Sequence, residues 1–352
     1  MNDQRWSGLI KINKFKFKSK LIHIVLSGLI ILITVLIGEL YYHKDIISYL
    51  FYSHKINKIS SLNDASKAEI YKKKIVIAEK SNGRIAPDYS NFANLGSIYT
   101  KEGKYQEAKA LFDKALAIHQ KYDPKNYETK AHIRFNLGNL YLAQGKFEES
   151  EAIFKKALSI EEKLYSELST EYIPDLVNLS VVLRSQNKID EAEFILNKSL
   201  NVCKKNKCSS IVQATLFDNL GVIYSMKGRH KEAESLLKKS LELAKLSGDN
   251  LKITLITFNL ANIYWKSGKY SDSIDLMQKT LVQSKKTFGV NNPNTINIQN
   301  NFANKYWELG EHQKALDMIK ESLELSKKTL GINNPNTISI QNNLIKKQKE
   351  LE

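Results

Sequence analysis

An internal repeat governs this chain. Asn94 opens the run Asn94-Leu95-Gly96-Ser97-Ile98-Tyr99, and its phase recurs at Asn136, Asn178, Asn219, Asn259, Asn301 and Asn343. The steps are 42, 42, 41, 40, 42 and 42 residues. Five places after the Asn stand Tyr99, Tyr141, Leu183, Tyr224, Tyr264 and Tyr306. Nine places after it stand Gly103, Gly145, Asn187, Gly228, Gly268 and Gly310. Fourteen after it come the small residues Ala108, Ser150, Ala192, Ala233, Ser273 and Ala315, and eighteen after it Phe112, Phe154, Leu196, Leu237, Met277 and Ile319. Self-similarity at so many positions marks stacked units, none able to bury its apolar face alone.

Each unit reads as two helices. Leu95, Ile98 and Tyr99 share one face at 3–4 spacing. The turn Gly permits the left-handed conformation that ends a helix. Ala108, Leu111, Phe112, Ala115 and Leu116 form the stripe of a second helix, whose small members admit a close neighbour. The five prolines (Pro87, Pro124, Pro174, Pro293 and Pro335) fall 4 to 12 residues before a ladder Asn, where a helix should begin.

The N-terminus is different. Residues 1–20 carry Arg5, Lys11, Lys14, Lys16, Lys18 and Lys20 against Asp3. Leu21 to Gly38 then runs 18 residues without Asp, Glu, Lys or Arg. As a helix it would be ~27 Å long, near the thickness of a bilayer core. Tyr41 and Tyr42 follow, where an interfacial aromatic belt would sit. The expectation is a transmembrane helix over 21–42. A cleaved signal fits the charge and apolar pattern but lacks a small-residue cleavage site, since Val35-Leu36-Ile37-Gly38-Glu39 is bulky there. The basic flank keeps the N-terminus cytoplasmic and places the body in the periplasm, lumen or exterior. Residues 43–86 read as a juxtamembrane helix, with Ile46, Ile47, Leu50 and Phe51 apolar, and an N-terminal half-repeat. Six repeats then occupy 87–334, and a capping helix 335–352.

The repeat resembles the tetratricopeptide family. Its pattern of Leu-Gly, Tyr, Gly-x-Tyr, Ala, Phe and Ala is matched by Leu95-Gly96, Tyr99, Gly103-x-Tyr105, Ala108, Phe112 and Ala115. The period of about 42 exceeds that family's usual ~34 and looks like the kinesin light chain type. The junctions Phe288-Gly289-Val290-Asn291-Asn292-Pro293-Asn294-Thr295 and Leu330-Gly331-Ile332-Asn333-Asn334-Pro335-Asn336-Thr337 strengthen that likeness, with Asn where the family has His before the Pro. The resemblance implies an all-α, right-handed solenoid with first helices lining a concave groove.

By the same resemblance the ladder Asn residues contact peptide. An Asn offers donor and acceptor to an extended backbone without reading side chains. The candidate row is Asn94, Asn136, Asn178, Asn219, Asn259, Asn301 and Asn343, with Asn139, Asn262 and Asn304 as a second row on the same face. The alternative is that these Asn residues bridge adjacent first helices, or reflect the 31 Asn of the chain. Four places before the ladder stand Ser90, His132, Pro174, Thr215, Leu255, Asn297 and Ser339, so no Lys or Arg clamp for a carboxylate is expected. Trp265 and Trp307 read either as groove anchors or as packing between helices. His230 and His312 share the phase of Tyr105, Phe147 and Tyr270 and read as ring substitutes.

Cys203 and Cys208 flank Lys204-Lys205-Asn206-Lys207. They could form a disulfide in an oxidising compartment, or remain two thiols. Lys204, Lys205 and Lys207 are candidates for docking an acidic partner. The formal net charge is +16, from 53 Lys+Arg and 37 Asp+Glu, and 48 of the bases are Lys. Nucleic-acid readers favour Arg for bidentate contacts, so that class is not expected. No catalytic constellation, phosphate loop or metal spacing follows the repeat register. Neither enzyme activity nor a cofactor is expected. The reading is a membrane-anchored scaffold or adaptor that binds peptide or protein segments. Alternatives are a soluble exported binding protein or a cytoplasm-facing adaptor.

Overall fold

The computed structural model describes residues 44–55, 64–164, 170 and 172–352. The basic segment 1–20 and the expected transmembrane helix 21–42 lie outside those residues. Among the described residues, no helix is long and apolar enough to cross a membrane. They form fifteen α-helices and no strand. The chain divides into two compact units, Met1–Asn91 and Phe92–Glu352.

The first unit contains helix α1 (44–55) and α2 (Asp64–Lys80). Asp45 accepts a 2.7 Å ion pair from Arg84. The Tyr49 hydroxyl accepts from Asn91 Nδ2 at 3.2 Å. On α1, Ile47, Leu50 and Phe51 are exposed.

The helices that follow come in pairs. They are α3 (Tyr89–Lys101) with α4 (Tyr105–Tyr122), α5 (Tyr127–Ala143) with α6 (Phe147–Leu164), and α7 (Ile173–Ser185) with α8 (Ile189–Lys205). Then come α9 (Ser210–Met226) with α10 (His230–Ser247), α11 (Asn250–Lys266) with α12 (Tyr270–Phe288), and α13 (Pro293–Glu308) with α14 (His312–Leu330). A single helix, α15 (Pro335–Lys349), ends the array. The second helix of each pair runs 17 to 19 residues, which accounts for the long period.

Local chemistry explains the pairing. Each turn between partners reverses at the Gly phase, with φ +74 at Gly103, +73 at Gly145, +76 at Gly228, +77 at Gly268 and +84 at Gly310. Asn187 takes the same left-handed conformation at φ +62, a region Asn tolerates better than most side chains. The next N–H then returns to the carbonyl of the phase-five residue, as in Lys104 to Tyr99 and Lys269 to Tyr264, both 2.9 Å. This closes the orphan carbonyls of the first helix.

Close approach is built by the Leu-Gly pair. A Cβ on Gly96 would lie 2.9 Å from the Phe112 ring, and one on Gly138 2.9 Å from the Phe154 ring. The phase-eighteen residues Phe112, Phe154, Leu196, Leu237, Met277 and Ile319 are all fully buried. Where phase fourteen is Ser, its hydroxyl donates to the partner helix: Ser150 to Gly138 O at 2.8 Å and Ser273 to Ala261 O at 2.7 Å.

The Asn-Pro-Asn-Thr junctions are structural. Asn292 Oδ1 caps α13 by accepting from Asn294 N at 2.9 Å, and Pro293 sits in the first turn. Thr295 Oγ1 meets Ser284 Oγ of the preceding helix at 2.7 Å. Asn334, Pro335, Thr337 and Ser326 repeat the arrangement, with the hydroxyls 2.8 Å apart.

Candidate binding groove

Within the second unit, successive first helices touch directly: α5 with α7, α7 with α9, and α9 with α11. The face on which these helices crowd is the inner face of the curve. Most ladder Asn side chains stand on the first helices beside a buried Leu (Phe302 follows Asn301, and the half-buried Leu344 follows Asn343), and all ten candidate Asn residues are partly exposed.

The structure brings several of them together. Asn178 Nδ2 donates to Asn139 Oδ1 at 3.3 Å, and Asn343 Nδ2 to Asn304 Oδ1 at 3.0 Å. Ser97 Oγ donates to Asn136 Oδ1 at 3.1 Å. In each case the second-row position of one unit meets the ladder Asn of the next. Where the second row holds Val181 and Val222, this bond has no partner. Asn259 instead donates to Asp218 Oδ1 at 2.8 Å. Bridging between first helices therefore accounts for Asn136, Asn139, Asn178, Asn259, Asn304 and Asn343.

Asn219, Asn262 and Asn301 differ. Among the described residues their amides donate only within their own helices, to Thr215 O at 2.9 Å, Phe258 O at 3.1 Å and Asn297 O at 2.9 Å. Their side-chain carbonyls retain acceptor capacity. Asp218, next to Asn219, was not singled out by sequence. Burial raises its carboxyl above the usual range, against the Asn259 bond and the charges of Lys252 and Arg184. A buried Asp one place before the ladder is a signal that only the bridging pattern makes readable.

The family profile of the tetratricopeptide repeat matches residues 88–163, 129–205, 176–246 and 253–328, together more than half of the chain. The chain belongs to the tetratricopeptide-repeat family. No curated protein matches it at a significant level. A tetratricopeptide repeat protein from Parabacteroides merdae is similar in structure, with TM-score 0.57 and 18% identity over 87% of this chain and 98% of that one. A Rap protein complexed with competence and sporulation factor matches at TM-score 0.54 and 13% identity, covering 88% of this chain and 96% of that one. BtubC (BKLC) from P. vanneervenii matches at TM-score 0.51 and 19% identity, covering 64% and 91%. At these identities the likeness is one of fold.

The remaining candidates of this tetratricopeptide array are placed as follows. Trp265 and Trp307 are buried, so of the two readings packing between helices holds and the groove anchor does not. Trp265 Nε1 donates to Glu308 Oε2 at 2.5 Å, and its ring lies 4.7 Å from that of Tyr270. The Trp307 ring packs 4.3 Å from His312, which acts as a ring. Cys203 and Cys208 have Cα atoms 5.0 Å apart and their sulfurs are joined. The Cys208 N–H donates to Cys203 O at 3.1 Å, so the two cysteines close the C-terminal turn of α8. Lys207 within that turn is left-handed at φ +51. Lys204, Lys205 and Lys207 are exposed, and no carboxylate among the described residues pairs with them. No group of three metal-ligating side chains occurs among the described residues.

Proposed function

We propose that this tetratricopeptide protein is a membrane-tethered interaction scaffold that holds a peptide or protein segment along its inner face. The observation that carries the reading is the set Asn219, Asn262 and Asn301. These amides lie on the inner face and are not spent on bridges to neighbouring helices. The fold likeness to a Rap protein whose structure holds competence and sporulation factor supports a peptide-sized occupant. The exposed Lys204, Lys205 and Lys207 suit an acidic surface on that partner. The apolar run Leu21–Gly38 behind a basic flank supports a single span with the body outside the cytoplasm. A joined Cys203–Cys208 pair fits an oxidising compartment. The reading is non-enzymatic.

The test is partner capture by crosslinking with the full chain, followed by the double replacement Asn219→Ala with Asn301→Ala. Loss of two backbone-directed hydrogen bonds should weaken capture roughly tenfold while thermal unfolding stays near wild type. Asn178→Ala serves as a contrast, since it removes a bridge and should act on stability instead. Undiminished capture by the double variant overturns the groove reading.

A further inference from the structure

A solenoid normally touches only its neighbours along the chain. This one makes an exception. Asn334 Nδ2 donates to the Tyr105 hydroxyl at 3.1 Å, across 229 residues of sequence. The same hydroxyl donates to Ala143 O at 3.1 Å. The first turn of the array therefore meets its last junction.

Two further observations mark the contact as built. Of the five turn glycines, only Gly103 is crowded: an added Cβ would lie 3.1 Å from Asn334 Nδ2 and 3.2 Å from Leu330 O. The equivalent atoms at Gly145, Gly228, Gly268 and Gly310 would meet nothing within 4 Å. Asn334 is also buried and does double duty. Its Oδ1 caps α15 by accepting from Asn336 N at 2.9 Å, which leaves Nδ2 free to reach Tyr105. Beside the contact lies a cavity of about 510 Å³, lined from one end by Lys104, Gln106, Gln144 and Lys146 and from the other by Asn333 and Pro335.

We infer that Tyr105 and Asn334 form a clasp that locks the first repeat to the last and so sets the curvature of the array. The clasp rests on one shared hydroxyl and one close glycine, so it opens far more readily than the repeats unfold. Opening it frees both ends and widens the inner face. This holds whether or not a peptide occupies the groove.

Hydrogen exchange on the full chain tests the clasp, using Tyr105→Phe and Asn334→Asp. The first keeps the ring that packs at the start of α4. The second keeps a capping oxygen for α15 and removes the donor. Each variant should accelerate exchange at the far end by roughly fivefold, the worth of one hydrogen bond. Tyr105→Phe should act on amides near Asn334, and Asn334→Asp on amides near Gly103. Effects confined to the mutated end in both variants overturn the clasp. Protection at the two ends that grows with protein concentration also overturns it, because the contact would then join separate copies.

Discussion

Asp175 sits in the first turn of α7, where a carboxylate ordinarily gains from the helix N-terminus. Here it is buried and one of its oxygens has no hydrogen-bond partner among the described residues. Burial, together with the neighbouring Glu161 carboxyl, pushes it up to about 8. The folded chain thus holds a proton that the unfolded chain releases above 3.8, the ordinary value. Stability is full below that value and falls as pH rises to about 8. Asp175→Asn should therefore stabilise the protein at pH 8 and change little near pH 3.5, with a gain on the order of 1–3 kcal/mol at the alkaline end. Urea unfolding at the two pH values measures this, and an equal effect at both would refute it. The pair was invisible in the sequence. Glu161 and Asp175 belong to different helices, and nothing in the repeat register says that their carboxyls meet. The turn conformations, by contrast, were legible to the residue, including Asn187 in place of Gly, because they depend only on local backbone sterics.

Between elements, a ladder of ion pairs ties the central repeats. At three successive boundaries the residue ten places after a ladder Asn pairs with the acid fifteen places after the previous one. Lys188 meets Glu151 at 2.8 Å, Arg229 meets Glu193 at 3.6 Å, and Lys269 meets Glu234 at 2.8 Å. At the first boundary the two phases hold Lys109 and Lys146, and at the last Ile274 and Glu311, so the ladder spans repeats two to five. The letters were readable in the sequence. That phases ten and fifteen face each other was not, because it depends on the rotation between units. The Asn bridges escaped for the same reason: spacing placed Asn139 and Asn178 on one side, but not within bonding distance. Glu151 is the most enclosed rung, and Lys155 also reaches it at 2.6 Å. Burial alone would raise its carboxyl, but the bonds from Lys155 and Lys188 outweigh that and hold it at about 2. Its contribution is present above 4.5 and is lost as pH falls towards about 2. Glu151→Gln should cost about 1–2 kcal/mol at pH 7, and the two proteins should converge as pH approaches that lower limit. Denaturant midpoints across the acid range decide it; a pH-independent difference would show that Glu151 acts by packing.

At the scale of the molecule, charge is divided by task. Residues 1–20 carry a net +5, residues 101–200 carry −1, and residues 201–300 carry +8. The ladder row of the inner face is itself uncharged, being all Asn, with the buried Asp218 beside it. What could not be read from sequence is the closure of the array on itself, which accumulates from small rotations at every repeat boundary. The order of helices needed only periodicity. The N-terminal charge has a different consequence. On the proposed reading, a basic flank of six and an apolar run of 18 would make one attachment point. If residues 21–38 span a bilayer, the full chain should stay with membranes through an alkaline carbonate wash. A version lacking residues 1–42 should remain in the supernatant. Protease added to intact spheroplasts should then digest the repeats, because the basic flank would hold the N-terminus on the cytoplasmic side. Repeats cut only after lysis would reverse the orientation. Full extraction by carbonate would remove the span and leave the basic segment as a surface contact, whose release should then follow salt concentration rather than detergent.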